Sequence, residues 1–273
     1  MTELPSFDIS GQVAVVTGGA GVICSALCRM LAAAGARLAV LDLDGEAAGR
    51  LAEELRSAGG EALSCACNVL ERTSLEAAAQ QVLAAFGRVD ILVNGAGGNR
   101  PRATTGPEAP FFDLPVEALR GVVDVNLIGV ILPSQVFGRI MADQKSGVVL
   151  NIASMNAYRP LTRIPAYSAA KAAVANFTQW LAVHLAQEYS PAIRVNAIAP
   201  GFLVGEQNRR LLLDADGALT ARGRTILDHT PMRRFQVPED LFGTVLWLVS
   251  PASALVTGIV VPVDGGFSAF GGV

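Results

Sequence analysis

The chain has 273 residues, 51% of them hydrophobic and only 16% charged, which suits one large domain with a deep core. A formal net charge of −3 and a pI near 5.5 argue against a nucleic-acid partner, which favours a basic face. No uninterrupted apolar run reaches the ~20 residues that span a bilayer, and the opening MTELPSFDIS lacks the charged-then-apolar pattern of an export signal, so a cytoplasmic protein is expected.

Apolar runs of strand length alternate with helical patterns almost throughout. Val13–Thr17 is the first predicted strand, and VVTGGAGVIC carries it through a glycine-rich turn into a helix near 22–34. Gly18, Gly19 and Gly21 let the backbone approach a pyrophosphate, which the positive helix N-terminus then holds. The second strand, Arg37–Asp42, ends in Asp42, 24 residues past Gly18. A carboxylate there accepts hydrogen bonds from adenosine ribose hydroxyls and repels a 2′-phosphate, so NAD is favoured over NADP. A helix near 45–58, a strand Ala62–Cys67 leading to Asn68 and Val69, a helix near 72–86 and a strand Ile91–Asn94 follow.

Gly97–Pro115 is a polar, proline-rich excursion before a long helix near 115–143. Strand Gly147–Ile152, a helix near 165–189 and strand Arg194–Ile198 come next. A second excursion, Phe202–Pro238, is long enough to act as a lid and precedes a helix near 238–249 and a last strand, Ile259–Val263. Continuous Val/Ile/Leu strands with intervening helices predict a parallel sheet covered on both faces. Seven strands with a glycine-rich turn after the first favour a doubly wound, Rossmann-type single domain, mainly parallel, over an eightfold barrel. Both excursions follow carboxyl ends of strands, where open α/β sheets bind ligands. Cys24, Cys28, Cys65 and Cys67 fit neither a CxxC nor a zinc pattern and read as buried free thiols, with no metal expected. Trp180 and Trp247 lie at helical core spacings, and neither His184 nor His229 is assigned to catalysis.

Ser154 closes the fifth strand in VVLNIAS, and Tyr167 and Lys171 follow in YSAAK on the next helix. Four residues apart, the phenol and the ammonium share one helix face. When a hydride enters or leaves a carbon bearing a hydroxyl, the oxygen gains or loses a proton with it. A tyrosinate takes that proton if a nearby cation lowers the phenol from its ordinary pKa of ~10. A serine hydroxyl can hold the reacting oxygen. The chain has nineteen Arg and two Lys, Lys145 and Lys171. Arg is its default cation, and a guanidinium is a poor replacement for a compact ammonium at 171.

Together, TGGAGVI, NGAG, Asn126 in VVDVNLIGV, Ser154, YSAAK, the APG at 199–201 and the VDGG at 263–266 resemble the short-chain dehydrogenase/reductase family, from about Gly11 to Phe267. The resemblance implies a catalytic set of Asn126, Ser154, Tyr167 and Lys171, with Asn126 anchoring a water that links Lys171 to solvent. It implies that Gly18, Gly19, Gly21, Val22, Ile23, Asp42, Asn68, Val69, Asn94, Ala96, Tyr167, Lys171, Pro200 and Gly201 contact NAD. It also implies a homotetramer in which the last strand and its apolar tail pack across a subunit interface. Two departures stand out: Val22 and Cys24 replace glycines of the usual fingerprint, and Gly205 stands where a threonine often bonds the nicotinamide amide.

NGAGGNRPRATT, SMNAYRPLTRIPAYSAAK, NFTQWLAVHLAQEYSP and GEQNRRLLLD resemble one branch of the family, the bacterial D-mannonate oxidoreductases. The branch implies interconversion of D-mannonate and D-fructuronate. A hexonate pocket wants cations and amides rather than bare apolar surface. Arg102, Arg163 and Arg209 are the choices for the carboxylate, Asn156 and Gln207 for hydroxyls. Dehydrogenation of another aldonate or polyol, such as gluconate at C5, and general carbonyl reduction are the neighbouring alternatives. A dinucleotide-binding regulator without turnover is the alternative from another class, and a complete proton relay speaks against it.

Overall fold

The computed structural model describes residues 6–205 and 209–272. Its strands are β1 (Val13–Thr17), β2 (Arg37–Asp42), β3 (Ala62–Ala66), β4 (Ile91–Asn94), β5 (Gly147–Ile152), β6 (Ile193–Pro200) and β7 (Val260–Val263). They form one sheet in the order β3-β2-β1-β4-β5-β6-β7, and every pairing is parallel. The order reverses between β1 and β4, which opens a crevice at their carboxyl ends. The helices are α1 (Val22–Ala33), α2 (Gly45–Ser57), α3 (Arg72–Phe86), α4 (Val116–Val123), α5 (Gly129–Gln144), α6 (Pro165–Glu188), α7 (Arg209–Leu212), α8 (Ala221–Asp228) and α9 (Phe242–Val249).

Alternation along each strand feeds two cores. Ala14, Val16, Leu38, Val40, Ile91, Val93 and Leu150 meet Leu27 and Leu31 of α1, Leu51 and Leu55 of α2 and Val245 and Leu248 of α9. Val13, Val15, Ala39, Leu41, Leu92 and Val149 face the other way, onto Leu75 of α3, Phe137 and Met141 of α5 and Leu181 of α6. Burial on both faces is why the strand sequences carry no polar alternation. Four free cysteines are buried, as expected, and the described residues hold no cluster suited to a metal.

Three details differ from the sequence reading. β6 runs on to Pro200, because its carboxyl end pairs with β7 through Pro200 and Val263. The predicted long helix is divided: a π-helical turn, Asp124–Ile128, separates α4 from α5 and contains Asn126. Trp180 is not a core residue. It is 57% exposed and stacks on His184 and Phe177 along the outer face of α6. Val116–Gln144 as a whole is 29 residues long and holds an 18-residue window apolar enough to cross a membrane by length and composition, yet half of that window is buried in this fold, as in a core helix.

Candidate active site

The glycine-rich turn is built by close backbone contacts. Gly18 is left-handed (φ 62°), and a Cβ there would stand 2.7 Å from Ala96 Cα. A Cβ on Gly19 would stand 2.7 Å from Val40 Cγ1, so neither position admits a side chain without a shift. Gly21 caps α1 without a side chain, so no capping group occupies the positive end of the helix. Val22 is exposed beside this end, while Ile23 packs against the core. The thiol of Cys24, a departure from the usual fingerprint, occupies the space over Gly95, where a Cβ would overlap its sulfur. A missing glycine in the turn is thus matched by one at the end of β4.

Asp42 accepts from the Ala20 amide with one oxygen and from the Asp44 amide with the other, both at 3.0 Å. It therefore braces the turn, and each oxygen keeps a lone pair for a hydroxyl. Asn68 spends its side chain on an Asx turn, accepting from Leu70 N and donating to Glu71. Val69 is buried against Gly129. The side chain of Asn94 does not face the crevice: it is 1% exposed and donates to Asn151 Oδ1 (2.8 Å) and Ser134 Oγ (3.0 Å). A contact from Asn94 to a cofactor is left to its backbone. Pro200 is buried, and Gly201 lies so close to Asp264 that a Cβ would stand 2.8 Å from its Cα. A side-chain-free turn, an unblocked helix end and a strand-end carboxylate fit a dinucleotide. A nicotinamide dinucleotide, when bound, would supply the hydride acceptor.

Lys171 is 4% exposed, and its Nζ donates to the Ile152 carbonyl at 2.7 Å and lies 5.7 Å from the Tyr167 ring centroid. Burial pulls its pKa down to about 8. Burial also raises the Tyr167 phenol, and a hydrogen bond with Ser154 opposes that rise. In this pocket, desolvation outweighs any lowering of the phenol that the sequence reading expected from its neighbours. Ser154 Oγ accepts from the Asn156 amide (3.2 Å) and from Asn156 Nδ2 (3.3 Å). The serine therefore has its own proton left to donate, and a donor on the phenol oxygen favours tyrosinate.

Asn126 is fully buried and donates to Gly98 O (2.7 Å) and Val122 O (2.8 Å) while accepting from Gly98 N (3.1 Å). With its side chain so committed, any relay role falls to its backbone. Asn156, expected to meet a substrate hydroxyl, is corrected to a positioning residue. It is 5% exposed, and its Oδ1 accepts from Leu161 N and Ser168 Oγ while its amides hold Ser154. Arg102, Arg163 and Arg209 are exposed on the three segments that follow β4, β5 and β6. Gln207 lies outside the described residues. Gly205 sits by Val22, 3.8 Å from its Cγ2 to a hypothetical Cβ, so the second excursion starts over the glycine-rich turn.

Sequence reasoning missed the braces of the β5–α6 loop. Tyr158 Oη donates to Val260 O (2.7 Å) and Arg159 Nε to Ser268 O (3.1 Å), tying this loop to β7 and the tail. Arg222 of α8 donates to Thr162 Oγ1 at 3.2 Å. These partners lie 60 or more residues apart, and no local pattern announces them.

The short chain dehydrogenase family model matches residues 12–214. An uncharacterized oxidoreductase of Bacillus subtilis is 47% identical over 275 residues, spanning 97% of this chain and 98% of its own. A Haemophilus influenzae protein provisionally assigned as a D-mannonate oxidoreductase, solved with bound NAD, is 45% identical with a TM-score of 0.91, covering 97% of this chain and 98% of its own. A gluconate 5-dehydrogenase from Burkholderia cenocepacia, solved with NADP and tartrate, is 32% identical with a TM-score of 0.86, covering 96% and 97%.

Proposed function

The chain belongs to the short-chain dehydrogenase family, an oxidoreductase acting on CH–OH groups, and on that premise we propose that it is an NAD-dependent sugar-acid dehydrogenase interconverting D-mannonate and D-fructuronate. The observation that carries the chemistry is the placement of Ser154, Tyr167 and buried Lys171 together at the carboxyl end of β5, the strand two places from β1 and its glycine-rich turn. In oxidation, Ser154 orients the substrate oxygen and Tyr167 accepts its proton. Lys171 favours the tyrosinate by charge, and the backbone carbonyl of Asn126 anchors a water that links Lys171 to solvent and carries the proton away.

The acidic substrate is supported by the arginines on all three crevice segments and by the likeness to the Haemophilus protein. NAD is supported by Asp42, whose carboxylate repels a 2′-phosphate, with no Arg beside it. We place the enzyme in the cytoplasm as a homotetramer. The likeness to a gluconate 5-dehydrogenase favours a second reading, oxidation of another aldonate.

A panel of aldonates, polyols and ketoacyl esters tests the proposal with purified protein. NAD reduction with D-mannonate and NADH consumption with D-fructuronate are expected to exceed all other rates. Best turnover on a non-acidic substrate would remove the sugar-acid reading, and preference for NADP would remove the role given to Asp42.

A further inference from the structure

Seven arginines among the described residues pair with an acid, as in Arg29–Glu54, Arg56–Glu53 and Arg234–Asp240, each at 2.6 Å. Arg222 has none among the described residues. It is half-buried at the second position of α8, behind the N-cap Thr220, where the positive end of the helix repels a cation. Its bond to Thr162 Oγ1 brings it across to the loop that enters α6. Next in sequence is Arg163, also without an acidic partner among the described residues and held left-handed at φ 76°. That backbone is strained for a residue with a side chain, and the Thr105 amide bonds its carbonyl at 2.8 Å. Burial, and next the charge of Arg163, lower the pKa of Arg222 from its ordinary value.

Helix end, like charge and partial burial all disfavour a cation here, and an anion would relieve each of them. Three segments leaving the carboxyl ends of β4, β5 and β6 meet at this point, through Thr105, Thr162 with Arg163, and Arg222. Arg163 stands four residues before Tyr167.

We propose that Arg163 and Arg222 together seat the carboxylate of the acid substrate, fixing that end between α8 and the loop into α6 while the hydroxyl to be oxidised lies at Tyr167. This rests on the sugar-acid reading and adds Arg222, a residue that reading did not contain. Arg222 is then a specificity-determining residue: its guanidinium and that of Arg163 select an acid over the matching neutral polyol.

The experiment compares wild type, Arg222→Gln and Arg163→Gln in two assays. In steady-state kinetics with D-mannonate, each variant is expected to raise KM about tenfold to hundredfold, as loss of a charge-assisted pair does, with a smaller change in kcat. In calorimetry, NADH-loaded protein is titrated with tartrate and, as the neutral four-carbon control, erythritol. Tartrate binding should weaken at least tenfold in both variants, with NADH affinity retained. Arg222→Lys, which keeps the charge and loses the fork, should fall between, and it serves if the glutamine variant fails to fold. Unchanged tartrate affinity and unchanged KM in the variants overturn the seat, even if D-mannonate is the substrate. Should no aldonate be turned over while tartrate binding still depends on both arginines, the seat stands and the sugar-acid reading falls. Wild-type protein that binds neither tartrate nor any aldonate overturns both.

Discussion

At the residue scale, the ammonium that chemistry requires is a burden on the fold. Moving the pKa of Lys171 from 10.5 to about 8 corresponds to about 3 kcal/mol of disfavoured charge. The bond to Ile152 O offsets about 1 kcal/mol of it. The sign follows from linkage: between pH 8 and 10.5 the unfolded chain holds more protons at this site than the folded chain. The penalty is therefore complete below pH 8 and fades as pH rises toward 10.5. Lys171→Met is expected to abolish turnover and yet unfold at higher urea concentration than wild type at pH 7, with the gap narrowing above pH 8. A variant less stable than wild type at every pH would show that the Ile152 contact, not charge burial, dominates. That Tyr167 and Lys171 come together beside Ser154 was legible because Tyr167 and Lys171 are one helical turn apart and Ser154 closes the strand before them. The posts behind them were not: Asn156 reads as a free amide in SMNAY, and only its bonds to Leu161 and Ser168 make it a brace.

At the element scale, strands were read to within two residues at either end, and the inner ones, β1, β2, β4, β5 and β6, most directly, because they are buried on both faces and carry Val/Ile/Leu runs. The π turn at Asn126 was hidden, since one extra residue in a turn barely disturbs a helical apolar pattern. Packing of the glycine-rich turn was hidden for another reason: Cys24 looks like a defect until Gly95, on a different element, is seen to leave it room. Gly95→Ala tests this match. Its Cβ would overlap the Cys24 sulfur and stand 2.9 Å from Thr17 O. Overpacking of this kind costs about 1–3 kcal/mol. Urea titration should show that loss, and NAD affinity should fall with it because neighbouring Ala96 abuts Gly18. In a Cys24→Ala background the cost should shrink without vanishing, since the carbonyl remains. Equal losses in the two backgrounds would mean that the thiol and the glycine are not paired.

For the whole molecule, the unresolved balance lies on its outside. Phe177, Trp180, His184 and Tyr189 form a row of ring contacts along α6, with Trp180 stacked 4.8 Å from His184. Val183 on the same helix is as exposed as Trp180, and β7 leaves the sheet with an open edge. An exposed row of rings of this sort is what a subunit interface covers, and the sequence could not reveal it because Trp180 keeps the spacing of a core residue. If the row is buried between copies, a charge in its centre must be either desolvated or driven back to water, and the second is far cheaper. Trp180→Glu should therefore lower the mass seen by light scattering at micromolar concentration while circular dichroism stays unchanged, because in a single chain that side chain is already half in solvent. A wild-type chain that sediments as a monomer, or a variant with the mass of wild type, would mean that this face is not what joins the copies.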